Sequence, residues 1–561
     1  MEFDLDLIRR YAAENRVKFG RASSKAVLGK VIASKPEYKS HIRELIQVIE
    51  KVVEEINSMP LEEASKYWSP PEKKKVKEEF RLPPLPNAVE GEVATRFAPN
   101  PDFVLHLGSL RPLILSYEYA RMYKGKFYVR FEDTDPKTKK PEPEFYEAIR
   151  RDIEWLGIKP YKYVYQSDRL HLYYDVARCL IDMGRAYICL CGREEFKGYI
   201  YNGRACPHRD QSIEENHELF DKMLSGYFGE GEAVLRIKTD LNHPNQSVRD
   251  WPALRIIDTS RYPHPRKGDK YVVWPLYNFS CAIDDHMMGI THVLRGAEHR
   301  VNEIKQEYIF KYMDWEIPEY IHHGRVAIPE GILSKSKILR GIREGLYTGV
   351  DDLRLATIAA LRRRGYHPKA LYNVIIRTGV SLSNTTIDFS MLAAENKKLI
   401  DKDANRYYGV RRPKVFNVEL EDDVQVRIRL HPDFPDRGYR IFNLKKGLNH
   451  IYIDVDDLSH FRSGNIVRLI ALGNFRVSGN ELQFVNNDVL WAKEKGLPFI
   501  HWVPEKYSFK ADFLYPGAQY HGYVESSLRD VAVGRVVQLE RLGYFKIESR
   551  DGGIKVIFTH K

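Results

Sequence analysis

The spacing of hydrophobic positions divides the chain into three regions of different texture. Residues 1 to about 70 carry apolar side chains at helical spacing, most regularly between residues 42 and 56. Residues 95–131 read as a strand, a helix and a second strand. From residue 411 to the end, apolar and polar positions alternate with a period of two. The pattern therefore predicts a helical start, an α/β middle and an all-β tail.

The α/β region opens with a βαβ unit. A short strand around Thr95 is followed by a Pro/Asn/Asp turn, and a helix is predicted to open near His106. The second strand is predicted over Lys126–Phe131. An imidazole and a glycine, Gly108, at the start of a helix suit a site where phosphate lies against backbone N–H groups. By itself the tetrapeptide His106-Leu-Gly-Ser109 is weak evidence of a site, and the case depends on segments further along the chain.

The same spacing predicts further helices over residues 145–157, 167–183, 213–224, 300–313 and 350–400, and a strand over 232–238. After an insertion, the catalytic sheet is predicted to resume at Tyr271–Ser280 and to continue through Asp284–Glu298. The tail has turns rich in Gly, Asn and Asp between its alternating segments, and we expect one or two closed barrels there.

Composition narrows the class of protein. The chain has 561 residues, 43% of them hydrophobic, and a formal net charge of +11. We expect several domains and no membrane association, because no apolar run is long enough to span a bilayer and the N-terminus is no signal peptide. Five cysteines favour the reducing cytoplasm over a disulfide framework. The positive charge favours a polyanionic partner such as nucleic acid.

Four metal-binding side chains fall in two close pairs. Cys189-Leu-Cys191 and Cys206-Pro-His208 are separated by residues 192–205. Such a set can surround one tetrahedral Zn²⁺ ion, and a closed four-ligand site would be structural because no position is left for water. The alternative is a loop with reduced thiols.

Two polar segments are candidate binding loops. Glu132 belongs to a carboxylate-rich segment at the end of the second strand, where open α/β sheets bind ligands, so it can meet a cationic group. The alternative is a capped turn. Lys335, within Ile332-Leu-Ser-Lys-Ser336, can close over a triphosphate. The alternative there is an exposed turn with ordinary surface lysines.

Taken in order, these segments resemble the archaeal type of glutamyl-tRNA synthetase, a class I aminoacyl-tRNA synthetase. His106-Leu-Gly-Ser109 is similar to the family's HIGH motif, and Ile332-Leu-Ser-Lys-Ser336 to KMSKS. The segments most typical of the glutamyl/glutaminyl branch are Arg96-Phe-Ala-Pro, Arg130-Phe-Glu-Asp-Thr-Asp-Pro and Leu294-Arg-Gly-Ala-Glu. The resemblance covers nearly the whole chain.

The resemblance implies a multidomain fold, α/β plus all-β. A Rossmann-type class I synthetase catalytic domain would carry an inserted acceptor-stem domain, a helical N-terminal extension and C-terminal anticodon-binding β-barrels. The implied domains are, in chain order, the N-terminal helices and linker (1–88), the first catalytic half (89–185) and the insertion with the zinc site (186–273). They continue with the second catalytic half (274–340), a helical connecting domain (341–410) and the barrels (411–561). The all-β tail is similar to that of archaeal and eukaryotic glutamyl enzymes and unlike the helical anticodon domain of bacterial ones.

The resemblance also assigns roles to residues. The catalytic residues would be His106, Gly108, Ser109, Ser334, Lys335 and Ser336. Those that bind ATP would be Pro99, Asn100, Pro101, His106, Gly108, Leu333 and Lys335. Glutamate would be bound by Arg96, Glu132, Tyr277 and Arg295. Arg295 stands where glutaminyl members carry a smaller neutral residue, and a guanidinium pairs with a carboxylate better than with an amide.

The implied reaction is ATP-dependent attachment of L-glutamate to tRNA(Glu) through glutamyl-adenylate, with Mg²⁺ assisting and Zn²⁺ in the insertion. The family extends this to tRNA(Gln) in archaeal members and makes activation wait for bound tRNA. We expect a cytoplasmic monomer. The competing interpretations are a glutaminyl-tRNA synthetase, a catalytically silent tRNA-binding protein on a synthetase scaffold, and a nucleotidyltransferase that acts on a small metabolite.

Overall fold

The computed structural model describes residues 3–68, 82–329 and 334–561. It divides into two compact units, residues 1–79 and 80–561. None of the described helices is both long enough and apolar enough to cross a membrane. Leu333, predicted to bind ATP, and Ile332 lie outside the described residues.

The first unit is helical, as predicted. Asp4 caps its first helix by accepting a hydrogen bond from the Leu7 backbone N–H at 2.9 Å. Apolar residues at helical spacing, among them Ile8, Ile49 and Ile56, form a small core of their own. The helices are α1 (Leu5–Phe19), α2 (Ser24–Ser34), α3 (Ile42–Ser58) and α4 (Leu61–Ala64).

The second unit begins with two βαβ units. Its elements are β1 (Ala94–Phe97), α5 (Leu107–Met122), β2 (Lys126–Phe131), α6 (Pro143–Trp155), β3 (Lys162–Tyr165) and α7 (Leu170–Asp182). The three strands are parallel in the order β1-β2-β3, with Ala94 opposite Lys126 and Tyr128 opposite Lys162. The carboxyl ends of β1 and β2 therefore meet at one edge. The predicted helix start near His106 and the strand over Lys126–Phe131 are confirmed.

Residues 186–275, which cover the predicted insertion and keep that name below, form an antiparallel sheet in the order β4-β5-β6-β7. The apolar residues of the insertion, among them Phe220, Trp251 and Trp274, pack in one core with residues of the helices before and after it in the chain, such as Val176 and Phe279. The predicted helix 213–224 is confirmed. The elements are β4 (Ala186–Cys189), α8 (Arg193–Tyr201), α9 (Ile213–Leu224), β5 (Val234–Ile237), β6 (Pro252–Ile256) and β7 (Val273–Pro275).

The prediction that the catalytic sheet resumes at Tyr271–Ser280 is wrong. There β7 pairs with β6 of the insertion, and the next element is a helix, α10 (Tyr277–Met287). Every residue from Phe279 to Asp285 is buried, so the helix has no solvent-exposed face in that stretch to mark a period of 3.6. The next strand beside β1 is β8 (His292–Gly296), which belongs to a separate two-stranded sheet. Just before it, the Thr291 backbone N–H donates to the Ala94 carbonyl at 3.0 Å.

The remaining α/β elements complete the edge at which β1 and β2 end. β8 pairs in parallel with β9, so that Arg295 lies opposite His322. The helical texture predicted for residues 350–400 is confirmed, as three separate helices. The elements are α11 (Arg300–Tyr312), β9 (Glu319–His323), β10 (Val326–Ala327), α12 (Lys335–Arg343), α13 (Ile358–Arg364), α14 (Pro368–Thr378), β11 (Thr385–Thr386) and α15 (Phe389–Ile400).

The tail is all-β except for one short α-helix and a few 3-10 turns. It forms two seven-stranded sheets, β12-β25-β26-β27-β23-β24-β13 and β21-β18-β19-β20-β14-β17-β22, and a separate hairpin, β15-β16. The end strands of each sheet are close neighbours in the chain, β12 with β13 and β21 with β22. Each sheet therefore curls back on itself, as predicted for barrels. The elements are β12 (Arg406–Tyr407), β13 (Gly409–Val410), β14 (Pro413–Leu420), β15 (Val424–Arg429), β16 (Tyr439–Leu444), β17 (Gly447–Asp454), β18 (Ile466–Leu469), β19 (Gly473–Ser478), β20 (Glu481–Asn486), α16 (Val489–Glu494), β21 (Phe499–Ile500), β22 (Val503–Pro504), β23 (Ser508–Tyr515), β24 (Ala518–Glu525), β25 (Val536–Leu539), β26 (Gly543–Ser549) and β27 (Ile554–His560).

Candidate functional site

A cavity of about 640 Å³ opens where β1, β2 and β8 end. All four residues predicted to bind glutamate, which are Arg96, Glu132, Tyr277 and Arg295, lie in its wall. Asn100, His106 and Gly108 line the same cavity. The parallel topology explains this meeting, since residues distant in the chain follow strands that end at one edge.

A smaller cavity of about 310 Å³ shares part of that wall. Its lining includes the predicted residues Pro99, Asn100, His106, Ser109 and Lys335. Of the described residues in the predicted site, three stand outside both cavity walls: Pro101, Ser334 and Ser336.

Their surroundings explain these three positions. Pro101 is buried, and its carbonyl accepts a hydrogen bond from the Glu142 backbone N–H at 2.9 Å. Ser334 and Ser336 lie at the start of α12 with their hydroxyl oxygens 3.1 Å apart.

His106 precedes the first turn of α5. Its backbone N–H donates to the Ser109 hydroxyl at 3.4 Å, and the chain on either side is tied to α13 by backbone bonds from Leu107 to Ala356 and from Ile358 to Leu105. Burial lowers the pKa of His106 to about 4, so its imidazole is neutral near pH 7. Its Nδ1 has no hydrogen-bond partner among the described residues. The His106 ring is therefore held where the two cavities meet, and its Nδ1 is left for a ligand.

Arg96 is engaged by a buried carboxylate. Its Nε and Nη2 donate to the two oxygens of Asp285 at 3.1 and 3.4 Å, and Arg130 Nη1 donates to Asp285 Oδ1 at 2.6 Å. Burial alone would raise the pKa of Asp285, but the two guanidinium groups outweigh it and hold that pKa below its ordinary value. The carboxylate therefore stays ionised and fixes both arginines.

Glu132 has a thiol donor. The Cys281 Sγ–H donates to Glu132 Oε1 at 3.0 Å, and Arg130 Nη2 lies 3.5 Å from the same oxygen. Burial, with the nearby Glu132 charge, raises the pKa of Cys281 well above its ordinary value, so the thiol keeps its proton. These contacts fix one carboxylate oxygen of Glu132 beside the cavity.

Arg295 has a different kind of neighbour. Its Nη1 donates to the Gln306 amide oxygen at 2.9 Å, and its guanidinium lies 4.5 Å from the centre of the Tyr320 ring. Its Nε and Nη2 have no hydrogen-bond acceptor among the described residues. No described carboxylate lies within ion-pair distance of it either. A buried cation whose charge is left uncompensated at a cavity wall is costly unless a ligand supplies the anion.

Tyr277 stands at the first position of α10 beside His299, with its hydroxyl 3.5 Å from His299 Nδ1. Burial, reinforced by Cys281 and Glu132, raises the pKa of Tyr277, so its hydroxyl remains a donor at neutral pH.

Lys335 is the first residue of α12, and its Nζ contacts Asp102 Oδ2 at 2.6 Å. Its side chain is half-buried, with 37% of its surface exposed, so this ion pair is within reach of solvent. Such solvent-exposed pairs contribute little to stability.

The four predicted metal-binding residues lie together in the insertion. The Sγ atoms of Cys189, Cys191 and Cys206 and a ring nitrogen of His208 all lie within 4.8 Å of one another. The thiols are buried, with Cys189 and Cys206 3.9 Å apart and Cys191 3.3 Å from His208 Nδ1. Three thiols and one imidazole at this spacing are a donor set that fits tetrahedral Zn²⁺.

Several side chains of the site were not predicted from the sequence. Asp285, Cys281 and Gln306 position Arg96, Glu132 and Arg295. The first two pairs are 189 and 149 residues apart in the chain, and Gln306 lies 11 residues after Arg295, within α11. A signal was available in Asp284-Asp285, since two adjacent carboxylates in an apolar stretch require buried cations.

Comparison with known families agrees with this geometry. The model of the catalytic domain of class I tRNA synthetases (E and Q) matches residues 92–402. Two models of the anti-codon binding domain of the same synthetases match residues 404–491 and 499–548. The α/β unit and the β tail are thus matched by the parts of one family.

Curated relatives match over almost the whole chain. The chain is 46% identical to a glutamate--tRNA ligase of Pyrococcus furiosus over 99% of both chains. It is 48% identical to one of Pyrococcus abyssi over 98% of this chain and 99% of that relative, and 47% identical to one of Thermococcus kodakarensis over 100% of both. The chain belongs to the class I tRNA synthetases (E and Q).

Proposed function

We propose that this enzyme attaches L-glutamate to tRNA(Glu), using ATP and passing through a glutamyl-adenylate. Relatives at 46–48% identity that carry the name glutamate--tRNA ligase support the reaction. The observation that carries the choice of amino acid is Arg295, whose buried guanidinium leaves Nε and Nη2 without an acceptor among the described residues at the cavity wall.

Glutamate and glutamine have nearly the same shape, so the pocket has to read charge. A carboxylate would accept two charge-assisted hydrogen bonds from Arg295, whereas an amide would leave the guanidinium uncompensated. Arg96 is less available for this, since Asp285 already accepts from two of its nitrogens. We therefore assign the side-chain carboxylate of the substrate to Arg295, with Arg96 adding positive charge from the same wall.

The α-ammonium group of the substrate would bind the negative charge of Glu132. Cys281 and Arg130 engage Glu132 Oε1, which leaves Oε2 to accept from the α-ammonium group. Tyr277 supplies a hydroxyl donor beside it. A carboxylate at one end and a cation at the other orient the substrate so that its α-carboxylate points toward the phosphates.

The smaller cavity suits the phosphates of ATP. The start of α5 offers N–H groups to phosphate oxygens where the two cavities meet, since the neutral His106 lines both cavities and Gly108 lines the larger one. Lys335 would leave Asp102 for the β- and γ-phosphates as pyrophosphate departs. Mg²⁺, which the family uses with ATP, would supply further charge neutralisation there.

Zn²⁺ would be held by Cys189, Cys191, Cys206 and His208. Four protein ligands complete the tetrahedral coordination of zinc and leave no position for water, so the ion would have a structural role. It would fix the loop after β4 to the segment before α9. Metal analysis of the purified protein tests this, and about one zinc per chain is expected. A zinc content that stays the same when Cys206 is replaced by Ser would contradict the site.

The reaction is tested by ATP–pyrophosphate exchange with glutamate or glutamine, each with and without tRNA(Glu). We expect exchange with glutamate in the presence of tRNA and none with glutamine. Exchange driven by glutamine would make the assignment of Arg295 wrong. Absence of exchange under every condition would favour a silent RNA-binding protein instead.

Three further expectations concern partners and location. Attachment of labelled glutamate to tRNA(Gln), measured by aminoacylation, would extend the substrate range to the second tRNA. We expect a monomer, which sedimentation of the purified chain measures, and a cytoplasmic location, which microscopy of the tagged protein measures.

A further inference from the structure

Part of the wall of the larger cavity is assigned neither to glutamate nor to the phosphates. It includes Gly296, Glu298, His323, Gly324, Arg325 and Val326. If the proposed function holds, glutamate and the phosphates lie against the residues assigned to them above. The nucleoside of ATP is then expected against the part of the wall that remains.

His323 ends β9 and its ring is fixed by a neighbouring carbonyl. Arg111, which is fully buried, donates from Nη1 to the Gly324 carbonyl at 2.7 Å and from Nη2 to the Gly379 and Ser381 carbonyls, both at 3.0 Å. His323 Nδ1 lies 2.9 Å from the same Gly324 oxygen. A carbonyl oxygen only accepts hydrogen bonds, so Nδ1 is the nitrogen that carries the proton.

The other ring nitrogen is therefore an acceptor. Burial lowers the pKa of His323, so the ring is neutral and Nε2 keeps its lone pair. His323 is 4% exposed, and Nε2 has no hydrogen-bond partner within the described parts of the chain. A buried acceptor without a donor is costly, so a donor from a ligand is favoured at this point of the wall.

We propose that His323 Nε2 accepts a hydrogen bond from the nucleoside of ATP and helps to determine nucleotide specificity. The phosphates of ATP offer only acceptors, and the α-ammonium of glutamate is assigned to Glu132. The donors that remain are the 6-amino group of adenine and the two ribose hydroxyls. Any of them fits the chemistry of a neutral imidazole nitrogen, and nucleotides that lack one donor each separate them.

The test measures binding of ATP, inosine triphosphate, 2′-deoxy-ATP and 3′-deoxy-ATP to the full chain by calorimetry. Inosine triphosphate lacks the 6-amino group, and each deoxy nucleotide lacks one hydroxyl. We compare the parent protein with H323F, which removes the acceptor, and H323Q, which restores one. H171F, on the exposed face of α7, is the matched control.

We expect H323F to weaken ATP binding about tenfold, because it leaves the donor of the ligand unpaired in a buried site. H323Q should stay within about threefold of the parent, and H171F should be unchanged. The parent should bind one of the three analogues about tenfold more weakly than ATP, and H323F should bind that analogue no worse than the parent does. That analogue identifies the donor.

The inference is overturned if H323F binds ATP as well as the parent, or if H323F loses the same factor with all four nucleotides. It is overturned as well if the parent binds no ATP. Should the melting temperature show that H323F is unfolded, H323M takes its place. Glutamylation of tRNA(Glu) by the parent is scored separately, so that loss of the proposed function and loss of the role of His323 give different results.

Discussion

Arg295 in the α/β unit and Arg440 in the β tail are two buried arginines with opposite surroundings. Each guanidinium lies against a tyrosine ring, Arg295 at 4.5 Å from the centre of Tyr320 and Arg440 at 4.1 Å from that of Tyr408. The difference lies in their other partners. Arg295 has one amide oxygen and no carboxylate among the described residues, whereas Arg440 forms ion pairs with two glutamates.

The two glutamates show what Arg440 does. Glu525 ends β24 and Glu540 follows β25, while Arg440 lies in the hairpin of β15 and β16. The tail arginine therefore ties that hairpin to a seven-stranded sheet, and its charge is compensated within the protein. The charge of Arg295 is not compensated by any described carboxylate, so Arg295 is left to pair with a ligand. The comparison teaches that burial alone does not distinguish a binding arginine from a structural one, whereas charge compensation does.

The largest effect should come from Arg295→Ala. Removing one partner of a buried charge pair costs several kcal/mol, so kcat/KM for glutamate should fall by about 10³-fold. The change should appear mainly in the KM for glutamate, with the KM for ATP and the melting temperature nearly constant. Steady-state exchange kinetics and a thermal melt measure the two quantities.

Arg151→Ala, on the exposed part of α6, is the control for that variant and should behave like the parent. If Arg295→Ala lowered the melting temperature strongly and raised both KM values equally, Arg295 would be structural like Arg440, and the contrast between the two regions would fail.

Arg440→Met should have the reverse profile. It leaves Glu525 buried without its cation, which should lower the free energy of unfolding by about 3 kcal/mol while the KM for glutamate stays the same. Burial raises the pKa of Glu525 above its ordinary value even with Arg440 present, and removing the arginine should raise it further. A carboxyl with a raised folded-state pKa is most favourable when protonated, so the variant should regain part of its stability as the pH falls.

Chemical denaturation at several pH values measures both effects. Arg427→Met, an exposed position on the neighbouring strand β15, is the control and should cost little at any pH. Equal losses in the two variants would mean that the buried ion pairs do not hold the hairpin.

Lys335→Ala tests the smaller cavity, which is assigned to the phosphates of ATP and where the candidate cation is a lysine. One preorganised donor aimed at developing charge contributes about 10²-fold in rate, so the activation step should slow by about that factor. The melting temperature should not change, because the pair with Asp102 is half-exposed. Lys337→Ala, exposed in the same turn of α12, should keep the parent rate, and near-normal activation in Lys335→Ala would exclude Lys335 as a phosphate ligand.

The sequence was sufficient wherever local spacing determined structure. The start of α5 at His106, the strand β2 and the helix α9 follow from apolar periodicity and turn residues, and their bounds agree with the prediction. The metal quartet was found because its ligands come in two close pairs. Candidate residues such as Arg96 and Glu132 came from family motifs, and the topology then brings them to one cavity.

What the sequence could not supply are contacts made across the fold. The helix α10 was mistaken for sheet because its residues from Phe279 to Asp285 are buried on all sides. The lack of a described carboxylate beside Arg295 is a property of packing, and periodicity does not report it. The same holds for His323, whose acceptor nitrogen is defined only by the carbonyl that holds the other side of its ring.

Cys281→Ala should give the smallest effect of these variants. It extends the comparison from the cation Arg295 to the anion of the pocket, Glu132. The thiol fixes Glu132 Oε1, and its loss should leave Glu132 held by Arg130 alone. A single hydrogen bond of this kind is worth about 1 kcal/mol, so the KM for glutamate should rise about fivefold with kcat nearly unchanged. Cys281→Ser keeps a donor of similar size and should restore most of the affinity. If Ala and Ser raised the KM equally, Cys281 would matter for packing alone, and Glu132 would be positioned by charge as Arg440 positions Glu525.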